Sequence, residues 1–236
     1  MQQKSRAFLK WAGGKYSLVE DINARLNQAS KHADTLVEPF VGAGSVFLNS
    51  NFKHYVLNDI NADLINLYKE LKRSPDEFIS DAKKLFVELN NHPEAYYEYR
   101  VQFNQSSDVY ERAILFLYMN RHGYNGLCRY NLKGIFNVPF GKYKRPYFPE
   151  KEMYFFANKA QKATFTCLGY DDVFKLVPKN AVIYCDPPYV PLSKTASFTE
   201  SDALVPTSLD TDVPAGSYAF TVEQVAQSQS LAFAGF

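Results

Sequence analysis

Asp186-Pro187-Pro188-Tyr189 closes the apolar run Ala181-Val182-Ile183-Tyr184-Cys185. That run reads as a buried strand, and the two prolines behind it can neither continue a helix nor donate ladder hydrogen bonds. At such a strand end Asp186 offers carboxylate oxygens and Pro187 offers a carbonyl with no competing N–H, and the Pro-Pro pair fixes where that carbonyl points. Two acceptors converging on one spot suit a flat amino group with two N–H bonds, such as the exocyclic amine of a nucleobase. Holding both hydrogens turns the amine lone pair toward an electrophile. Tyr189 adds a face on which a ring can stack.

Two further stretches carry groups suited to a ligand. EPFVGAGS, residues 38–45, places Gly42 and Gly44 just behind a strand, where small residues let a backbone approach a bound molecule, and Asp59 ends the next strand in a position to bind a ribose. Phe47 occupies the place of the third glycine in a dinucleotide fingerprint. A nicotinamide site is therefore disfavoured, whereas an adenosine whose diol meets Asp59 remains compatible. An ordinary strand-to-helix turn would use the same glycines. In FLKWAGGK, residues 8–15, Lys15 behind Gly-Gly can hold a carboxylate and the Trp11 ring can lie near a cation.

Charge is unevenly placed. All 26 lysines and arginines lie in residues 1–199, and residues 200–236 carry five acids and no base, so a net +1 divides into a body of +6 and a tail of −5. From Arg112 to Pro149 there are seven Lys or Arg and no Asp or Glu. Tyr124, Tyr130, Phe136, Phe140, Tyr143, Tyr147 and Phe148 interleave with those bases. Nucleic acid is the natural partner of such a surface, because bases neutralise phosphates while aromatic and Asn side chains stack on or replace nucleobases.

These groups need a scaffold, and the pattern supplies one. Residues 35–48 read as strand, glycine turn and helix start, 54–60 as a second strand ending in an acid, and ADLINLYKELK as a helix. Helical spacing then runs from about Pro75 to Phe116, and from Arg121 to Pro149 it fails among Gly and Asn residues. A further helix precedes two apolar strands, ATFTCLGY and AVIYCDPPY. The economical architecture is a doubly wound α/β sheet interrupted by a helical and hairpin insertion, with residues 1–69 and 149–199 forming the sheet domain and 70–148 the insertion.

Composition narrows the class further. At 236 residues and 46% hydrophobic content the chain can bury a full core. No window approaches eighteen apolar residues and the N-terminus lacks an apolar signal region, so a cytoplasmic protein without membrane contact is expected. Cys128, Cys167 and Cys185 are odd in number and outside any C-x-x-C pattern, which argues against a disulfide framework and a zinc site.

FLKWAGGK, LVEPFVGAGSVFLN, LNDIN, LYMNRHGYNGLCRYN, FNVPFG and CDPPY, in this order, resemble the Dam-type DNA adenine methyltransferases, from about residue 5 to Thr199. The resemblance implies a Rossmann-like class I methyltransferase sheet carrying an inserted DNA-recognition segment at 70–148. It implies methylation of adenine in GATC with S-adenosylmethionine and no metal. The family's cofactor positions fall on Trp11, Lys15, Glu38, Phe40, Gly42, Gly44, Asp59 and Asp186, and its catalytic tetrapeptide on Asp186, Pro187, Pro188 and Tyr189. Its DNA-contacting positions fall on Lys10, Tyr124, Asn125, Leu127, Arg129, Pro139 and Tyr143. It further implies double-stranded DNA as partner, association with the nucleoid through DNA, and a monomer.

The resemblance stops after SFTE. Residues 200–236 are expected to form a poorly ordered acidic tail, and the sheet is expected to be incomplete on that side. Val182, Ile183 and Tyr184 would then lack their next neighbours, with self-association and loss of turnover as consequences. A motif-bearing remnant that binds DNA or cofactor without turnover is the alternative reading.

Overall fold

The computed structural model describes residues 4–29 and 33–187. Strands β1 (Thr35–Glu38), β2 (His54–Asn58), β3 (Ala163–Thr166) and β4 (Ala181–Ile183) form one parallel sheet in the order β3-β2-β1-β4. All four residues of β1 are buried, as expected of an inner strand covered on both faces. It pairs with β2 from Thr35↔His54 to Glu38↔Leu57 and with β4 from Thr35↔Ala181 to Val37↔Ile183. The Tyr184 N–H then donates to the Val37 carbonyl at 2.9 Å, carrying the pairing on toward Asp186. The chain leaves β1 for β2 on one side, and β4 lies on the other. The strand order therefore reverses at β1, and open α/β sheets bind ligands outside the carboxyl ends of strands at such a point.

Helices α1 (Val19–Ala29), α2 (Ser45–Asn49), α3 (Ala62–Arg73), α7 (Glu150–Ala160) and α8 (Tyr170–Lys175) accompany the sheet. Asn61 starts α3 by accepting the Leu64 N–H at 3.1 Å, and Lys72 and Arg73 in its last turn suit the negative end of the helix dipole. Phe8, Phe47, Tyr68, Phe156 and Phe165 pack edge-on or tilted between these elements, with centroid separations of 5.0 Å for Phe8–Phe156 and 4.6 Å for Tyr68–Phe156. Such ring pairs add to plain area burial.

Between α3 and α7 come α4 (Pro75–Lys84), α5 (Pro93–Gln105) and α6 (Val109–His122). The long helical pattern is thus divided, with prolines at the starts of α4 and α5 and an Asp108 cap that accepts the Glu111 N–H at 2.7 Å ahead of α6. Helix α6 packs against α3, α4 and α5 and is buried through most of its length, which is why its sequence shows no clean apolar stripe. One hydrophobic core runs from Leu36 and Leu57 of the sheet through Leu64 and Phe116 to Phe136.

The expected hairpin in the Gly- and Asn-rich stretch is reduced to two isolated antiparallel bridges, Gly123↔Phe140 and Tyr130↔Phe136. Pro139 has no N–H to give a ladder, and a turn closed by the Gly134 N–H on the Asn131 carbonyl limits the paired length. Among the described residues no helix is long and apolar enough to cross a membrane. Pro188, Tyr189 and the acidic tail lie outside the described residues, and with them the expectations for stability and self-association that rest on the tail.

Candidate functional site

The carboxyl ends of β1, β2 and β4 bring several of the expected residues to one edge of the sheet. Asp59, just beyond β2, accepts the Gly42 N–H at 3.0 Å through one carboxylate oxygen and the Asn61 N–H at 3.0 Å through the other. Burial pushes the Asp59 carboxyl above the ordinary range while N–H donors from Asn61, Gly42 and Ile60 oppose the shift. With three N–H donors already on it, the carboxylate keeps room for a further donor. Gly42 (φ +47°) and Gly44 (φ +73°) both occupy the left-handed region that favours glycine. A Cβ on Gly42 would stand 2.9 Å from Trp11 Nε1, so this glycine makes room for the indole rather than solely for a ligand. Tyr68 fixes the same turn from below through its hydroxyl on the Gly42 carbonyl.

At the end of β4 the Lys15 ammonium lies 2.7 Å from Asp186 Oδ2 and also donates to the Gly13 carbonyl at 2.8 Å. FLKWAGGK thereby reaches the residues just beyond β4. Glu38, at the end of β1, is buried, and burial together with the charge of Asp186 raises its pKa to about 8 against the opposing effects of the Phe47 N–H and Lys159. Its Oε1 has no hydrogen-bond partner among the described residues. A buried acceptor left open at a sheet edge is the kind of group that a ligand N–H satisfies. Phe40 faces Tyr170 with ring centroids 5.9 Å apart, placing an aromatic pair at the same edge.

A second group forms around the turn after α6. The Lys10 ammonium stands 3.5 Å from the centroid of the Tyr143 ring, and the Tyr143 hydroxyl accepts the Asn125 N–H at 3.0 Å. Asn125 itself has φ +52°, and the Tyr124 N–H donates to the Pro139 carbonyl at 2.9 Å. Lys10, Tyr124, Asn125, Pro139 and Tyr143 are therefore one cluster, with the Tyr124 ring about half exposed. Leu127 follows on the same turn, its N–H donating to the Tyr124 carbonyl. Arg129 lies further along, exposed, its guanidinium donating to Asn137 Oδ1 at 2.8 Å and to the Asn137 carbonyl at 3.2 Å. Burial and the charge of Arg121 lower the Lys10 pKa to about 8.

The acid-free stretch is not uniformly a surface. Arg112 makes a two-pronged pair with Asp63, Nε to Oδ1 at 2.9 Å and Nη2 to Oδ2 at 3.0 Å, and donates to the carbonyls of Phe103 and Ser106. Arg121 is buried and donates to the carbonyls of Tyr147 and Phe8. Both cations serve the fold, which narrows the expected basic patch. Their partners are distant in sequence, so an absence of nearby acids could not reveal them.

Three asparagines that the sequence reading did not single out organise the two groups. Asn58 donates to the carbonyls of Pro39 and Leu168, both at 3.0 Å, and accepts from Thr166 Oγ1 and the Leu168 N–H, tying together the loops beyond β1 and β3. Asn120 accepts the Lys10 N–H at 2.9 Å and donates to the carbonyls of Lys10 at 2.7 Å and Gly126 at 3.2 Å. Asn61 links the Asp59 loop to Cys128 Sγ at 3.2 Å. The one available signal was position, an amide at a strand end, in a helix last turn or at a helix cap.

The model of the D12 class N6 adenine-specific DNA methyltransferase family matches residues 11–204. The DNA adenine methylase of Vibrio cholerae is 62% identical over 197 residues, covering 84% of this chain and 70% of that protein. The DNA adenine methylases of Escherichia coli and Serratia marcescens are 58% and 57% identical over the same length, 84% of this chain and 69% and 72% of theirs. These matches do not favour the alternative of a remnant without turnover. With the sheet-edge acids, the glycine turn and a match over residues 11–204, the chain belongs to the D12 class of N6 adenine-specific DNA methyltransferases.

Proposed function

We infer that the chain transfers a methyl group from S-adenosylmethionine to the exocyclic amine of an adenine flipped out of duplex DNA, in the sequence GATC. The observation that carries this reading is Asp186 held by Lys15 at the carboxyl edge of the sheet, beside the glycine turn and the open acceptor of Glu38. The group set fits that donor. Asp59 can accept from a ribose diol, Phe40, Tyr170 and Trp11 offer aromatic faces to a purine or a cation, Lys15 suits a carboxylate, and Glu38 Oε1 suits an ammonium or amide N–H. When bound, S-adenosylmethionine supplies an electrophilic methyl group on a sulfonium.

Asp186 and the Pro187 carbonyl then accept the two N–H bonds of the target amine and direct its lone pair, and Pro188 and Tyr189 complete the catalytic tetrapeptide. Asp186 acts by orientation and preorganised charge. An adenine within a duplex hides its amine, so the base must leave the stack, and Tyr124 and Asn125 fill or stack on the space it vacates. Arg129 reads a guanine through its two major-groove acceptors. Lys10 and Tyr143 hold the strand near the turn, with Leu127 and Pro139 shaping its contact surface. Residues 70–148 are on this reading the target-recognition insertion, residues 1–69 and 149–199 the catalytic domain, and the chain works on cytoplasmic, nucleoid DNA as a monomer.

The test is Asp186→Ala. Methyl transfer to a GATC duplex is expected to fall below detection while duplex affinity, measured by fluorescence anisotropy, stays within about threefold, because one partly buried carboxylate paired with Lys15 adds little to phosphate binding. A folded variant that loses DNA binding as completely as transfer would overturn the assignment.

A further inference from the structure

Cys128-Arg129-Tyr130 passes beside the first turn of α3, and burial alternates along it: Cys128 and Tyr130 are partly buried and Arg129 between them is exposed. Cys128 and Tyr130 point inward. Cys128 Sγ accepts from Asn61 Nδ2 at 3.2 Å, and the Tyr130 hydroxyl donates to Asp63 Oδ2 at 2.7 Å. Asp63 is itself fixed by the two-pronged Arg112 pair, and Asn61 by its cap on Leu64 and its N–H on Asp59. The Tyr130 ring meets Phe136 edge-on at 5.5 Å across the bridge, and Phe136 is clamped by Asn104 through reciprocal bonds of 2.8 and 3.0 Å. Arg129, between the two inward residues, is left exposed with its guanidinium braced on Asn137.

We propose that Tyr130 and Cys128 are positioning residues that set the sequence discrimination of this enzyme, by anchoring the Arg129 backbone to the first turn of α3 through Asp63 and Asn61. The inference rests on the reading of Arg129 as a base-reading residue. A guanidinium that must meet two acceptors at once tolerates little displacement of its backbone, and the inward bonds on either side remove the freedom to slide or twist. The same α3 turn holds Asp59, so the recognition residue and the acid at the sheet edge share one rigid mount.

The experiment compares Arg129→Ala, Tyr130→Phe, Cys128→Ala and the Arg129→Ala/Tyr130→Phe double variant, with kcat and KM on a GATC duplex and on a duplex changed at one guanine. Tyr130→Phe keeps the ring and leaves Asp63 with its arginine. It is expected to lower the ratio of kcat/KM between the two duplexes about three- to tenfold, through KM on the GATC duplex with kcat little changed, and to add nothing in the Arg129→Ala background. A purely structural hydroxyl would lower the melting temperature and leave that ratio alone. If Arg129→Ala relaxes discrimination while Tyr130→Phe and Cys128→Ala keep it in full, the positioning role is wrong and the base-reading role stands. If Arg129→Ala keeps full discrimination, the base-reading role fails and the inference with it. Should Tyr130→Phe fold poorly, Cys128→Ala decides between the same outcomes.

Discussion

Glu38 shows how one buried side chain records the chemistry of its surroundings. Its raised pKa, about 8, comes first from burial and then from Asp186. The sign follows from proton counts: between about pH 4.5 and 8 the folded state holds a proton that the unfolded chain has released, so stability falls as pH rises through that window. Glu38→Gln is expected to remove this slope, melting close to the parent at pH 5 and a few degrees above it at pH 8. Thermal melts across pH 5–8 check this, and a parent melting curve without a slope in that range would contradict it. Lys10 and Arg129 make a second contrast at this scale. Lys10→Ala should weaken binding to GATC and scrambled duplexes alike and flatten the dependence on salt, whereas Arg129→Ala should cost about 1 to 3 kcal/mol of discrimination at one guanine. Competition titrations separate the two, and equal losses on both duplexes for Arg129→Ala would remove its readout role.

Two glycines of the recognition segment separate backbone strain from crowding at the level of elements. Gly126 (φ +63°) carries the short turn after α6, and a Cβ there would fall 2.1 Å from Lys10 Cβ, whereas Gly134 (φ +72°) has nothing within 4 Å of that position. Gly134→Ala should therefore cost only the left-handed conformation, about 1 to 2 kcal/mol. Gly126→Ala adds a collision with the N-terminal segment that Asn120 fastens to the same turn, so a larger loss of stability and a loosened Lys10–Tyr143 contact are expected. Urea denaturation measures the first, and duplex affinity the second. Equal costs at the two sites would show that the N-terminal segment yields freely.

Across the whole molecule, what could be read from sequence was whatever depends on strand ends. The acids Glu38, Asp59 and Asp186 follow apolar strands, and the parallel order β2-β1-β4 brings those ends to one edge. The glycine turn after β1 needed no knowledge of partners. Contacts spanning distant parts of the chain were not legible. Asp63 lies 49 residues from Arg112 and 67 from Tyr130, and no local pattern marks an arginine as a core ion-pair partner rather than a phosphate contact. Transfer of methyl to adenine in duplex DNA is measured most directly by incubating the chain with methyl-labelled S-adenosylmethionine and a duplex bearing one GATC. Hydrolysis of the product should yield labelled N6-methyladenine from that site and none from a duplex in which GATC is scrambled. Label in cytosine, or no incorporation by a folded, duplex-binding chain, would contradict adenine methylation by this chain.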